Sequence, residues 1–202
     1  MNRDTMTRTG VAPWRAARTL TDLAELTAQW IEGTIPWQPA YCGTTDIDTP
    51  RMAEVLAQVN RAGFMTVQSQ EAADGPGFDG AHWRQRAAVY GYATEEITDR
   101  ICQQAPAGFH VIAYDPADLA RWRNYWGNAV TITWRDGEDY TEFGGHVCRR
   151  SICDPHTGWG LLDRAAQLAV CRAWQLTVID LQAGRQDLLW DFLADISKQG
   201  ER

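Results

Sequence analysis

The sequence has no apolar run approaching the ~18 residues a helix needs to cross a bilayer, so a membrane-spanning helix is not expected. Its opening, Met1-Asn-Arg-Asp-Thr-Met6, contains no apolar signal-peptide core, and the cytoplasm is the expected compartment. Cysteine is sparse. Cys42, Cys102, Cys148, Cys153 and Cys171 lack the dense, even spacing of a secreted disulfide framework, which predicts reduced thiols. Positive charge is also in deficit: a net charge of −7 opposes nucleic-acid phosphates and anionic lipid, so neither non-specific nucleic-acid binding nor a membrane surface is expected. Arg121, Arg123, Arg135, Arg149 and Arg150 fall in one central stretch and are read as solvated side chains in preference to a basic patch.

What is present is ordinary for a globular chain. With 202 residues, 45% hydrophobic and 22% charged, it can bury a core without disulfide or metal staples. Ten tryptophans are the one excess; most are assigned to the interior or its rim, and the others are free to mark a binding surface.

Periodicity and punctuation predict an α/β fold: a mixed sheet with helices, built on repeated helix-to-strand units plus one β-hairpin. Residues 1–18 are expected to be a flexible N-terminal segment and 19–198 a single domain. Thr21-Asp22 is placed as the cap of a helix carrying Leu23, Leu26, Trp30 and Ile31. Thr49 caps a second, with Pro50 at its first position and Gly63 at its end, and a strand from Phe64 to Gln68 follows. Ser69 to Trp83 reads as a glycine-rich loop, either a lid or a plain connection, and Arg86 to Tyr92 as a strand. Thr94 caps a helix that breaks at Pro106-Ala-Gly108 before the strand Phe109 to Tyr114. Asp115 to Asp118 looks like the cap of a short helix bearing Leu119 and Trp122, and Asp136-Gly137 marks a hairpin turn between two strands. A helix from about Leu161 to Arg172, a strand from Leu176 to Asp180 and a helix bearing Leu188 to Ile196 complete the chain.

The helix-to-strand junctions resemble one another. Val59-Asn-Arg-Ala-Gly-Phe-Met-Thr-Val67 matches Val170-Cys-Arg-Ala-Trp-Gln-Leu-Thr-Val178 at five positions, and Ala107-Gly-Phe-His-Val-Ile112 echoes the first. A shared small-residue turn explains the likeness as well as a true repeat does. Either way, three strands entered from helices are expected side by side, with Gln68, Ser69, Gln70, Tyr114, Asp115 and Asp180 at their far ends. Ligands of open α/β sheets favour that edge, so Ser69, Gln70, Arg86, Asp115 and Asp180 form the candidate ligand-binding set.

Individual motifs are weaker. His146, Cys148, Cys153 and His156 supply zinc-ligand types in a short segment, but without a Cys-x-x-Cys or His-x3–5-His spacing; a polar loop is preferred, with zinc as the alternative and no other cofactor expected. Ser69 with His82 or His110 and Asp115 or Asp180 offers the residue types of a triad but no nucleophile elbow. Asp74-Gly-Pro-Gly-Phe-Asp-Gly80 lacks the lysine and hydroxyl of a phosphate loop. No catalytic residue is assigned.

Thr19-Leu-Thr-Asp-Leu-Ala-Glu-Leu-Thr-Ala-Gln-Trp30, Asn60 to Gln70, Trp83-Arg-Gln-Arg-Ala-Ala-Val89, Ala173 to Asp180 and Gly184-Arg-Gln-Asp-Leu-Leu-Trp190 resemble a family of uncharacterised proteins from Streptomyces-like actinobacteria and their mobile elements. The resemblance implies an actinobacterial or phage setting and brings no activity with it; it is least between Gly144 and Gly160, where the Cys/His cluster lies. The expectation is therefore a non-catalytic interaction or regulatory protein, binding a protein partner through an aromatic-rich surface with Trp122, Trp126 and Trp134 as candidates. A small-molecule or nucleotide-binding enzyme working at the strand ends is the alternative.

Overall fold

The structure, a computed structural model, describes residues 3–39, 49–117 and 123–199. The chain opens with α1 (Arg3–Ala16) and α2 (Leu20–Ile31). Val11, Trp14 and Ala17 are buried, so the segment expected to be flexible forms a helix whose second half reaches into the core. The cap of α2 is Thr19, two residues earlier than the sequence suggested: its hydroxyl accepts from the Asp22 N–H while the Asp22 carboxylate accepts from the Thr19 N–H, a reciprocal capping box. Thr49 and Pro50 start α3 (Pro50–Arg61) as expected.

The expected class of fold, helices and strands joined in helix-to-strand units with a hairpin, is present. Among the described residues the strands form two four-stranded sheets, and each pairing in them is antiparallel where the sequence suggested one mixed sheet. In the first, β1 (Phe64–Gln70), β4 (Ala88–Ala93), β8 (Trp174–Asp180) and β5 (Phe109–Tyr114) lie in that order. In the second the order is β2 (Ala73–Pro76), β3 (His82–Gln85), β6 (Val130–Arg135) and β7 (Glu138–Phe143).

The segment expected to be a loop, 69–83, supplies the link between the sheets. Gln70 pairs with Ala88, and three residues further along each strand Ala73 pairs with Gln85, so β1–β2 and β3–β4 are the two arms of one long hairpin that keeps its register through a bend. Its proximal half joins β8 and its distal half joins β6; at the bend, Arg86 N–H bonds Ile132 C=O and Asp180 N–H bonds Ala87 C=O. Glycine had suggested a loop, but Gly75 lies in the short edge strand β2, and Gly77 and Gly80 form the turn beyond it.

Alternation decides which face meets what. Leu176 and Val178 of β8, with Val89 and Val111 beside them, join the core built by α2, α3, α4 (Glu95–Gln104) and α7 (Leu188–Lys198). Ile179 and Ala88 point the other way and pack with Ile132, Val130 and Phe143 of the second sheet. The rest of that outer face is crossed by the chain after β7, held where the Gln175 side chain donates to Val147 C=O at 2.6 Å and accepts from its N–H at 2.8 Å. That chain forms α5 (Arg149–Ile152) and a 3₁₀ turn over Gly158–Leu161; α6 (Arg164–Cys171) then begins at its Asp163 cap, later than the sequence suggested.

Candidate functional site

The strand ends expected to share an edge do so only in part. β1 and β8 run in the same direction with β4 between them, so Ser69, Gln70 and Asp180 lie at one end of the sheet, beside Arg86. β5 runs opposite, with Phe109 facing Asp180 and Tyr114 facing Gln175, which sends Asp115 to the other end of the sheet. There its carboxylate bonds the Ala117 N–H at 2.7 Å; the short helix expected beyond it, including Trp122, falls outside the described residues.

The converging side chains spend their polar groups on the seam between the sheets. Gln70 donates to Arg86 C=O at 2.8 Å and lies against Thr133 Oγ1 at 3.2 Å. Arg86 donates from Nε to Leu181 C=O and from Nη1 to Thr131 C=O, each at 2.9 Å, and its guanidinium lies 4.8 Å from the centre of the Trp134 ring. Burial, then the neighbouring Arg84, lower the Arg86 pKa, while Asp180 opposes them. Asp180 is fully buried: its carboxylate takes the Gln182 N–H and a two-point contact from Arg185, whose own pKa it raises.

Of the expected partner-binding tryptophans, Trp134 is half-buried between Arg84 and Arg86, and Trp126 is exposed, its ring laid against Gly145, where a Cβ would meet it at 2.1 Å. The four zinc candidates do not come together. His146 packs edge-on against Tyr114, Cys148 contacts Ser151, Cys153 faces Cys171, and the His156 N–H bonds Asp154. Among the described residues no group of three or more His, Cys, Asp or Glu side chains is arranged to hold a metal ion.

The distal end of the long hairpin carries side chains that are not among the candidate site residues. At its tip Gly77 N–H bonds Ala81 C=O at 2.8 Å, and Phe78 stands fully exposed. Asp79 organises the tip. One carboxylate oxygen accepts from Trp83 Nε1 at 2.9 Å and from the Ala81 N–H at 3.1 Å; the other accepts from Arg135 Nε at 3.0 Å. These donors, Trp83 first, hold its carboxyl below the ordinary range. Trp83 meets Tyr140 edge-on with ring centres 5.1 Å apart, and lies so close to Gly77 that a Cβ there would stand 2.3 Å from its ring. The 136–137 turn braces the tip: His82 N–H bonds Asp136 Oδ1 and Asp136 N–H bonds His82 C=O, both at 2.8 Å.

Beside the tip lies an open cleft of about 490 Å³, lined by Asp74, Gly77, Phe78, Trp83, Gln85 and Gln186. Gly184 N–H bonds Gln85 C=O at 3.0 Å, which brings the loop after β8 to the cleft's rim, so the cleft opens at the same end of the molecule as Gln70 and Asp180. The signal for these residues was in the sequence: an aromatic ring, Phe78, amid turn-forming glycines, and the alternation His82-Trp83-Arg84-Gln85, which puts Trp83 and Gln85 on one face.

The molecule is thus an α/β domain in which two antiparallel sheets share one bent hairpin bearing an aromatic cleft. Residues 10–198 match the family described as a domain of unknown function, DUF6919, and the chain belongs to that family. No curated protein matches it in sequence.

Proposed function

We propose that this is a non-catalytic interaction or regulatory protein that docks a protein partner on the aromatic surface at the hairpin end of its second sheet. Phe78 carries the reading: a fully exposed ring at the tip of a hairpin whose neighbouring groups are held in place by Asp79 and Asp136. Burying such a side chain is worth about 2 kcal/mol, and a tip whose neighbouring groups are already hydrogen-bonded has less freedom to lose on binding. The glycine-floored cleft beside it admits an apolar side chain of the partner, with Trp83 as one wall. The setting we infer is the cytoplasm of an actinobacterial cell or one of its mobile elements, as the sequence resemblance implies. Among the described residues no helix is long and apolar enough to cross a membrane. An enzyme working at the strand ends is less favoured, because Gln70, Arg86 and Asp180 are engaged in joining the sheets.

Selection of a displayed random peptide library on the purified protein tests the proposal. The expected outcome is a shared motif with an apolar anchor whose affinity falls about tenfold or more in Phe78→Ala and is unchanged in Trp126→Ala. Failure to enrich any motif, or binding indifferent to Phe78→Ala, overturns it.

A further inference from the structure

The geometry points to Cys153 and Cys171 as a peroxide-responsive thiol pair that closes to a disulfide. Cys153 sits at the C-cap of α5 and Cys171 ends α6; both are free thiols, with Sγ atoms 3.7 Å apart. A disulfide bond is about 2.05 Å long, so the two sulfurs lie within a small side-chain adjustment of bonding distance. Their accessibility differs usefully. Cys153 is partly buried and is the more accessible of the two to a dissolved oxidant, whereas Cys171 is buried, 7% exposed. Burial and the adjacent Cys153 push the Cys171 thiol up to about 12, so the resting pair at neutral pH keeps Cys171 protonated.

The oxidant is a hydroperoxide. The Cys153 sulfur attacks one oxygen of hydrogen peroxide; the O–O bond breaks, the departing oxygen leaves as water with the thiol proton, and Cys153 becomes a sulfenic acid. The Cys171 sulfur then attacks the sulfenic sulfur, the S–O bond breaks, and a second water leaves with the Cys171 proton. Two thiols lose two electrons in all, and one peroxide gains them. The bond ties the segment between the two cysteines into a closed loop. That loop contains Trp159, which packs edge-on against Tyr92 of the first sheet, so oxidation fastens the cover over the sheet's outer face. This site stands apart from the aromatic cleft, and its test does not depend on the docking proposal.

The reduced full-length protein is treated with stoichiometric hydrogen peroxide at neutral pH, quenched with an alkylating reagent, and read by intact mass, peptide mapping and thermal unfolding. Two of the five cysteines resist alkylation, the mapped cross-link joins Cys153 to Cys171, and the unfolding midpoint rises by roughly 5–10 °C, reversibly with dithiothreitol. Cys153→Ser, at the less buried position of the two, removes the cross-link while leaving the far-ultraviolet circular dichroism unchanged; Cys171→Ser removes it too. Five alkylated cysteines after peroxide, a cross-link to any other cysteine, or Cys153 carried to sulfinic acid without cross-linking overturns the assignment.

Discussion

Gly91 illustrates a residue whose identity is dictated by a neighbour distant in sequence. It lies on β4 opposite Thr66, beside an irregularity in the β1 register between Thr66 and Gln68, and a Cβ there would stand 2.1 Å from the Met65 carbonyl oxygen. The obstacle is the backbone of β1, hydrogen-bonded to β4 along the pair, which cannot turn aside as a flexible side chain would. Gly91→Ala is expected to lower the unfolding free energy by about 3 kcal/mol, measured by urea denaturation. Nothing in Val-Tyr-Gly-Tyr-Ala distinguishes this glycine from an ordinary strand interruption. The same limit applies to Asp79 and Trp83: their residue types were visible, but the hydrogen bond between them exists because the hairpin tip folds back.

Helix starts and stops are local, and for that reason they were largely legible. Thr49, Pro50 and Thr94 punctuate α3 and α4 as read, because an N-cap needs only its own side chain and the next turn's N–H groups. The cap of α2 was misplaced by two residues because Thr19 and Thr21 both suit the role; only Thr19 has an acidic partner three residues on. The N–H groups of Arg18 and Thr19 hold the Asp22 carboxyl below its ordinary value, so the charged form is bound more tightly in the folded state. The stabilisation is present above the unfolded carboxyl range and is lost as pH falls through the lowered folded value. Asp22→Asn should accordingly flatten the acid limb of the stability curve below about pH 4, measured as midpoint against pH.

The junction from α3 to β1 is fastened in a way the repeat did not reveal. Asn60 is fully buried; its amide donates to Leu56 C=O and Thr66 Oγ1 and accepts from the Thr66 N–H, closing the turn from inside. The matching position before β8 is Cys171, so the two units share a shape without sharing this bolt. The third unit, α4 to β5, enters the sheet upside down relative to them. A helix followed by a strand says how the chain turns, but the strand's partner and direction are chosen by long-range pairing.

Two sheets that share a hairpin are coupled at its bend, and Arg86 is the clearest fastening there. It is half-buried and bonds the backbone of both the β8 loop and β6 while covering Trp134. Arg86→Met keeps the stem and removes the bonds, and is expected to destabilise the protein by about 1–2 kcal/mol. The loss should be local: hydrogen exchange should quicken in β2, β3, β6 and β7 while α3, α7 and β8 stay protected. Uniform acceleration across both sheets would mean instead that the molecule opens as one unit.

The sequence by itself determined the class of fold, most of the elements and their caps, and the absence of a long apolar span, since periodicity, caps and turns act over a few residues. The tertiary structure alone decided that 69–83 is half of a bent hairpin, that Asp115 parts from Asp180, and that the aromatic cleft forms at Phe78 and Trp83 while Trp134 is covered by arginines. Each of these depends on which strand pairs with which and in what direction. That choice is made by burial and hydrogen bonding between segments far apart in the chain, so it leaves no periodicity to read.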